Sequence, residues 1–149
     1  MKNIAIITGA SSGMGREFVR QLDGQYDEIW GIGLGQEALD KVKEETKTLF
    51  KGFDLDLTKK ESFEKITSLL KEENPNVQFL ANCSGFGKFG RYDEIDIKDS
   101  ANMVDLNCKA LLMMTEYVLP YMHEGGRIVE IASVAGFQPI PYMAVYGAS

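Results

Sequence analysis

Two cysteines and a single histidine among 149 residues leave little material for metal chemistry or a covalent framework. Cys83 and Cys108 stand far apart, with no CxxC spacing and no Cys/His group nearby. Neither a zinc site nor a disulfide scaffold is indicated, and both read as reduced small residues. Basic residues are also scarce where they would count. Sixteen Lys and Arg against 22 Asp and Glu give a formal charge of -6, and no Lys/Arg cluster concentrates the positive charge that a nucleic-acid backbone requires. Long hydrophobic runs are missing too. Glycine interrupts the opening MKNIAIIT too early for a secretory signal, and no stretch approaches the roughly 18 apolar residues of a membrane span. With four prolines, no internal repeat and no low-complexity tract, nothing marks a linker. The expectation is one domain over residues 1–149, in the cytoplasm, with no nucleic-acid or membrane partner.

The chain does have core-forming material, arranged in a regular order. Hydrophobic residues make up 44% and aromatics 10%, enough apolar surface to offset the entropy of ordering the backbone. NIAIIT is a short apolar run ending at glycine, which suits a parallel strand covered on both faces. In the segment that follows, Phe18, Val19 and Leu22 fall at helical spacing. The alternation repeats: EIWGIGL as strand, QEALDKVKEETK as helix, TLFKGFDLDL as strand, then a helix with Phe63, Ile66, Leu69 and Leu70 on one face. VQFLAN is a fourth buried strand, a long helix is predicted from about Ile97 to Tyr121, and GGRIVEIAS reads as the fifth strand. His123 falls near the end of that helix, where its charge suits the helix dipole. Strict β/α alternation predicts a doubly wound parallel sheet, the Rossmann fold, with helices on both faces and ligands at the carboxyl ends of the strands.

Between the first strand and first helix lies Thr8-Gly9-Ala10-Ser11-Ser12-Gly13-Met14-Gly15. Glycines there let a phosphate approach the backbone, and the helix N-terminus offers free amides and the positive end of a dipole. The spacing is GxxxGxG, without the Lys-Ser/Thr ending of a P-loop, so a nucleoside-triphosphate site is excluded. TGASSGMG resembles the cofactor signature of the short-chain dehydrogenase/reductase family. That resemblance extends through Asp56-Leu57-Thr58, Asn82-Cys83-Ser84-Gly85, Asn107 in VDLNCKA, Ser133 in GGRIVEIASVAG, and Tyr146. Cys83, Ser84, Glu130 and Ala132 depart from the family's common residues.

By that resemblance, Gly9, Ser11, Ser12, Gly13, Met14 and Gly15 bind the cofactor, together with Leu34, Asp56, Leu57, Asn82, Ser84 and Gly85. Asp56 would accept a hydrogen bond from the adenine amino group, although it also reads as the N-cap of the following helix, which Thr58 supplies equally well. Asn107, Ser133 and Tyr146 would be catalytic. Hydride would pass between a nicotinamide cofactor and a carbonyl or alcohol carbon, Tyr146 would exchange a proton with the oxygen, Ser133 would hydrogen-bond that oxygen, and Asn107 would support a water relay. On the residues alone, Asn107 reads equally as an ordinary polar helix residue, and Ser133 as a loop or cap hydroxyl.

In the family a lysine follows the tyrosine by four positions, and here that position would come directly after Ser149. The expectation is therefore a chain truncated at its C-terminal end, lacking the last strands and substrate loop and inactive as it stands. A catalytically silent dinucleotide-binding module is the alternative. A methyltransferase with a similar sheet would want an acid ending the second strand and has no use for the Ser133/Tyr146 pair. Because Gly33-Leu34-Gly35 carries neither an acid nor an arginine, the cofactor is NADP or NAD, with a lean to NADP. The resemblance also implies a small-molecule carbonyl or alcohol substrate and a homo-oligomer, dimer or tetramer.

Overall fold

The computed structural model describes the whole chain, Met1–Ser149. Strand β1 (Asn3–Thr8) lies at the centre, and Ile4, Ala5, Ile6 and Ile7 have no exposed surface because neighbours flank it on both edges and helices cover both faces. Beside it lie β2 (Glu28–Gly33), β3 (Leu49–Asp54), β4 (Asn76–Asn82) and β5 (Met122–Glu130), in the order β3-β2-β1-β4-β5. Every pairing is parallel, so each connection crosses a face, as the alternating pattern requires.

The two-residue period of the strands divides the core into two layers. Ile4 and Ile6 pack with Trp30 and Ile32 against α3 (Lys60–Glu73) and the helical stretch after residue 97. Ala5, Ile7 and Ile29 point the other way, against Val19 of α1 (Gly13–Leu22) and Leu39 and Val42 of α2 (Gln36–Glu45). Each large apolar side chain buried in these layers contributes about 1.5–3 kcal/mol.

Two expectations need correction. The predicted helix from Ile97 to Tyr121 is continuous but not uniform: α4 (Ile97–Val104) passes into a π-helical segment, Asp105–Ala110, then α5 (Leu111–Val118) and a 3-10 turn, Leu119–Tyr121. Pro120 tightens that last turn, and the π segment centres on Asn107, a residue whose amide competes with the backbone inside a helix. Strand β5 also begins earlier than GGRIVEIAS suggests. Met122 already pairs with Val77, and the ladder resumes at Phe79 with Arg127, so His123 sits in a bulged strand and not on a helix. A short α6 (Ala144–Ala148) follows a 3-10 turn at Val134–Gly136.

At the base of the sheet, opposite the carboxyl ends, Glu28 is a buried carboxylate with a full set of partners. Lys2 Nζ lies 2.5 Å from one of its oxygens, and Lys51 Nζ at 2.9 Å and the Trp30 indole N–H at 3.0 Å approach the other. Glu73 bridges the same two lysines. Burial alone would raise the Glu28 carboxyl, but the hydrogen bonds from Lys2, Trp30 and Lys51 prevail and hold it at about 2, below its ordinary 4.5. A carboxyl depressed on folding contributes stability that is complete above its unfolded value and lost as pH falls through the folded one. Glu28→Gln is expected to cost about 2 kcal/mol at neutral pH. In denaturant titrations the difference from wild type should shrink as pH drops from 4.5 towards about 2; a difference constant across that window would show that Glu28 stays protonated in the fold.

Candidate functional site

The glycine turn depends on one close approach. A Cβ built on Gly15 would lie 2.2 Å from the carbonyl oxygen of Gly9, and one on Gly9 would lie 3.0 Å from the Cys83 backbone. Only bare backbone lets α1 start this near the ends of β1 and β4. Ser12 stands at the N-cap in extended conformation without a side-chain cap, so the first amides of α1 remain open to an acceptor from outside. Thr8 Oγ1 accepts the N–H groups of both Cys83 and Ser84 at 3.0 Å, tying the two strand ends together.

These ends wall a cleft of about 480 Å³, the size of a small-molecule site. Gly9, Ser11, Ser12, Gly13, Met14 and Gly15 line it, as do Leu34, Asp56 and Leu57, and Ser84 and Gly85. Its donors are amides and hydroxyls, with one carboxylate at the far end. That chemistry fits a diphosphate at the helix start and a nucleoside beyond it. Asp56 Oδ1 accepts from the N–H (2.9 Å) and hydroxyl (2.7 Å) of Thr58. It thereby shapes its own loop, whereas the N-cap of α3 is Lys59.

Asn82 is the one expected cofactor residue outside the cleft. It is buried behind the wall, where its Nδ2 donates to Thr115 Oγ1 and to Glu130 Oε1, both at 3.1 Å. It joins β4 to α5 and β5.

A second cavity of about 460 Å³ adjoins the first through Met14, Cys83, Ser84 and Gly85. Asn107, Ser133, Tyr146 and Ser149 converge on it from three separate elements, among apolar residues that include Phe86, Leu111 and Met143. Ser133 caps the following 3-10 turn, its Oγ accepting the Ala135 N–H at 3.2 Å; the hydroxyl proton stays available to a ligand. So the cap reading and the cavity reading both hold for this residue.

Asn107 has a more structural part than the expected water relay. Its Nδ2 donates to the Phe86 carbonyl and to Ser149 Oγ, each at 2.9 Å, and its Oδ1 accepts the Phe86 N–H at 3.0 Å. The loop after β4 is thus pinned to the π segment. Gly87 is a residue that sequence reasoning missed: a Cβ there would lie 2.8 Å from the Tyr146 ring, so the loop backbone forms one side of the tyrosine's seat. The only signal was the run of glycines in SGFGKFG.

Asp54 was missed as well. It ends β3, pairs with Gly33, and accepts the Gly35 N–H on Oδ1 at 3.0 Å. Arg16, which follows the glycine turn, is held by Glu45 through Nε at 3.2 Å and Nη2 at 2.5 Å. Burial, and then the charge of Glu130, push the Cys83 thiol up to about 11, which keeps it neutral in the wall shared by both cavities.

A family model described as short chain dehydrogenase matches residues 3–149. The chain is 32% identical over 149 residues to the NADP-dependent 3-hydroxy acid dehydrogenase YdfG of Escherichia coli K12, covering 98% of this chain and 60% of that protein. It is 33% identical over 158 residues to sulfoacetaldehyde reductase 2 of Chromohalobacter salexigens, covering 100% of this chain and 62% of that one. Among solved structures, the closed form of serine dehydrogenase complexed with NADP+ superposes with a TM-score of 0.86 at 32% identity, covering 97% of this chain and 60% of that chain. The chain spans 49 to 65% of the length of the curated relatives it matches.

Asn107→Ala would leave the Phe86 N–H and carbonyl and the Ser149 hydroxyl without their partner, a loss of about 1–3 kcal/mol. The Phe86 amide is expected to exchange hydrogen faster while the amides of Ile6 and Ile7 in β1 keep their protection. Unchanged exchange at Phe86 would mean the loop is held by something else.

Proposed function

The chain belongs to the short chain dehydrogenase family, and on that premise we propose that it works as an NAD(P)-dependent oxidoreductase interconverting a carbonyl and an alcohol. The observation that carries this reading is the convergence of Ser133 and Tyr146 on a cavity that shares a wall, Met14 with Cys83 to Gly85, with the glycine-lined cleft. The bound nicotinamide dinucleotide supplies the hydride chemistry. Everything else falls to the chain. The free amides of Gly13, Met14 and Gly15 hold the diphosphate, and Asp56 with Leu34 and Leu57 holds the adenosine end. Asn82, Ser84 and Gly85 keep the wall between the cavities thin and fixed.

Tyr146 gives its phenolic proton to the substrate oxygen in reduction and takes it back in oxidation, the general acid/base role. Ser133 donates its hydroxyl to the same oxygen and orients it. Asn107 acts through position, holding the Phe86 loop and Ser149 around the cavity. The apolar lining from Phe86, Leu111 and Met143 suits a small carbonyl compound with an apolar portion. The names of the relatives cover 3-hydroxy acids and sulfoacetaldehyde, so the substrate class proposed is a small aldehyde, ketone or the corresponding alcohol.

The oligomer belongs to the same proposal. Ile97, Val104, Leu112 and Leu119 form an exposed apolar stripe at helical spacing, a surface suited to a second copy. No helix is long and apolar enough to cross a membrane, and the two free thiols fit a reducing compartment, the cytoplasm.

Fluorescence titration with NADH and NADPH is expected to show saturable binding that Gly15→Ala abolishes. In the active enzyme, Tyr146→Phe is expected to lower kcat/KM by about 10²–10⁴ while leaving dinucleotide affinity nearly unchanged. Binding without any effect of Tyr146→Phe would favour the silent module over the enzyme.

A further inference from the structure

We propose that this chain reads the adenosine ribose with Asp54, a carboxylate supplied by the strand beside β2, and so takes NAD(H) in preference to NADP(H). The inference rests on the dinucleotide reading of the 480 Å³ cleft given above. In doubly wound sheets an acid at the end of the second strand accepts the ribose hydroxyls and disfavours a 2′-phosphate. Here β2 ends in Gly33-Leu34-Gly35 and has no such residue of its own.

Parallel pairing supplies one from outside. The register runs Ile32 to Phe53 and Gly33 to Asp54, so the last residue of β3 stands level with the last residue of β2. Beyond that point the two chains stay joined: Leu55 N–H donates to the Gly33 carbonyl, and Gly35 N–H donates to Asp54 Oδ1, both at 3.0 Å. One oxygen of Asp54 therefore fixes the bend that carries Leu34 to the cleft. The residue is exposed, it makes no ion pair with any lysine or arginine, and its second oxygen takes no donor from the chain. A carboxylate held in place by one oxygen beside the segment that carries Leu34 to the cleft, with the other oxygen free, is equipped to accept hydroxyl donors from a ligand.

The charge around the rim points the same way. A 2′-phosphate brings about two negative charges, and the cleft offers it no counterion. No lysine or arginine lines it, whereas Asp56 does. Arg16 is bound to Glu45, and Lys60 to Glu64 at 3.1 Å. Lys59 and Asp54 both lie just outside the lining, between or beside residues that belong to it, but only Asp54 is hydrogen-bonded to the segment that carries Leu34 into the cleft. A 2′-phosphate at this end of the cleft would add its charge to that of Asp54, and no lysine or arginine lines the cleft to offset it, whereas a plain ribose would meet an acceptor. The relative whose name carries NADP shares 32% of its residues with this chain, which leaves ample room for the rim to differ.

The test is isothermal titration of the 149-residue chain with ADP-ribose and with 2′-phospho-ADP-ribose, which lack nicotinamide and so report on this end of the cleft alone. ADP-ribose is expected to bind about tenfold more tightly or better, with the ratio shrinking as added salt screens the repulsion. Asp54→Asn keeps an acceptor for the Gly35 N–H but removes the charge, and is expected to narrow the ratio about three- to tenfold. Leu34→Arg, which adds a cation without touching Asp54, should move the preference towards the phosphorylated ligand. Equal or tighter binding of 2′-phospho-ADP-ribose by the wild type overturns the inference, as does an unchanged ratio in a folded Asp54→Asn. Binding of neither ligand to folded protein overturns the dinucleotide reading itself, and this inference with it.

Discussion

The contact on which the rest of the site depends is the approach of Gly15 to Gly9. Helix α1 can aim its open amides into the cleft only because its first turn lies almost on top of the turn that leaves β1, at a separation where any Cβ would overlap a carbonyl oxygen. From there the positions follow by connection. Thr8, one residue before the turn, holds the backbone of Cys83 and Ser84. Those residues begin the loop that Asn107 pins at Phe86, and that loop in turn presses its Gly87 backbone on the Tyr146 ring. A chain of backbone contacts and short polar side chains thus runs from the open amides of α1 to the proposed proton donor.

Much of this was legible in the residues. Wholly apolar strand runs, such as Ile4 to Ile7, announced a sheet covered on both faces, and the glycine spacing after β1 announced a helix start whose first amides stay open. The residues that meet around the two cavities were nearly all visible by motif, because motifs record what backbone and chemistry demand locally. What stayed hidden depends on neighbours in space. Asp54 lies 19 residues beyond Gly35, and only the register of β2 with β3 brings them together. Asn82 looked like a cofactor residue because it sits beside Ser84 and Gly85, yet strand alternation turns its side chain away from the cleft to Glu130 and Thr115. The π segment was equally invisible: Asn107 could be read as an ordinary polar helix residue, and the backbone around it changes helix type locally.

Roles that seemed exclusive in the sequence coexist in the fold. Ser133 caps a turn and faces a cavity; Asp56 shapes its loop with one oxygen and lines the cleft. In each case a side chain with more hydrogen-bonding capacity than one partner can use is fixed by the protein and leaves the remainder for a ligand. Asp54 follows the same economy.

The Glu28 cluster sits at the starting ends of the strands, while every cavity residue discussed above lies at or beyond their finishing ends. The length of the sheet therefore separates what anchors the fold from what selects the ligand. A substitution in the loops at one pole leaves the contacts of Lys2, Lys51, Glu28 and Glu73 at the other untouched, so the two ends of the sheet can vary independently.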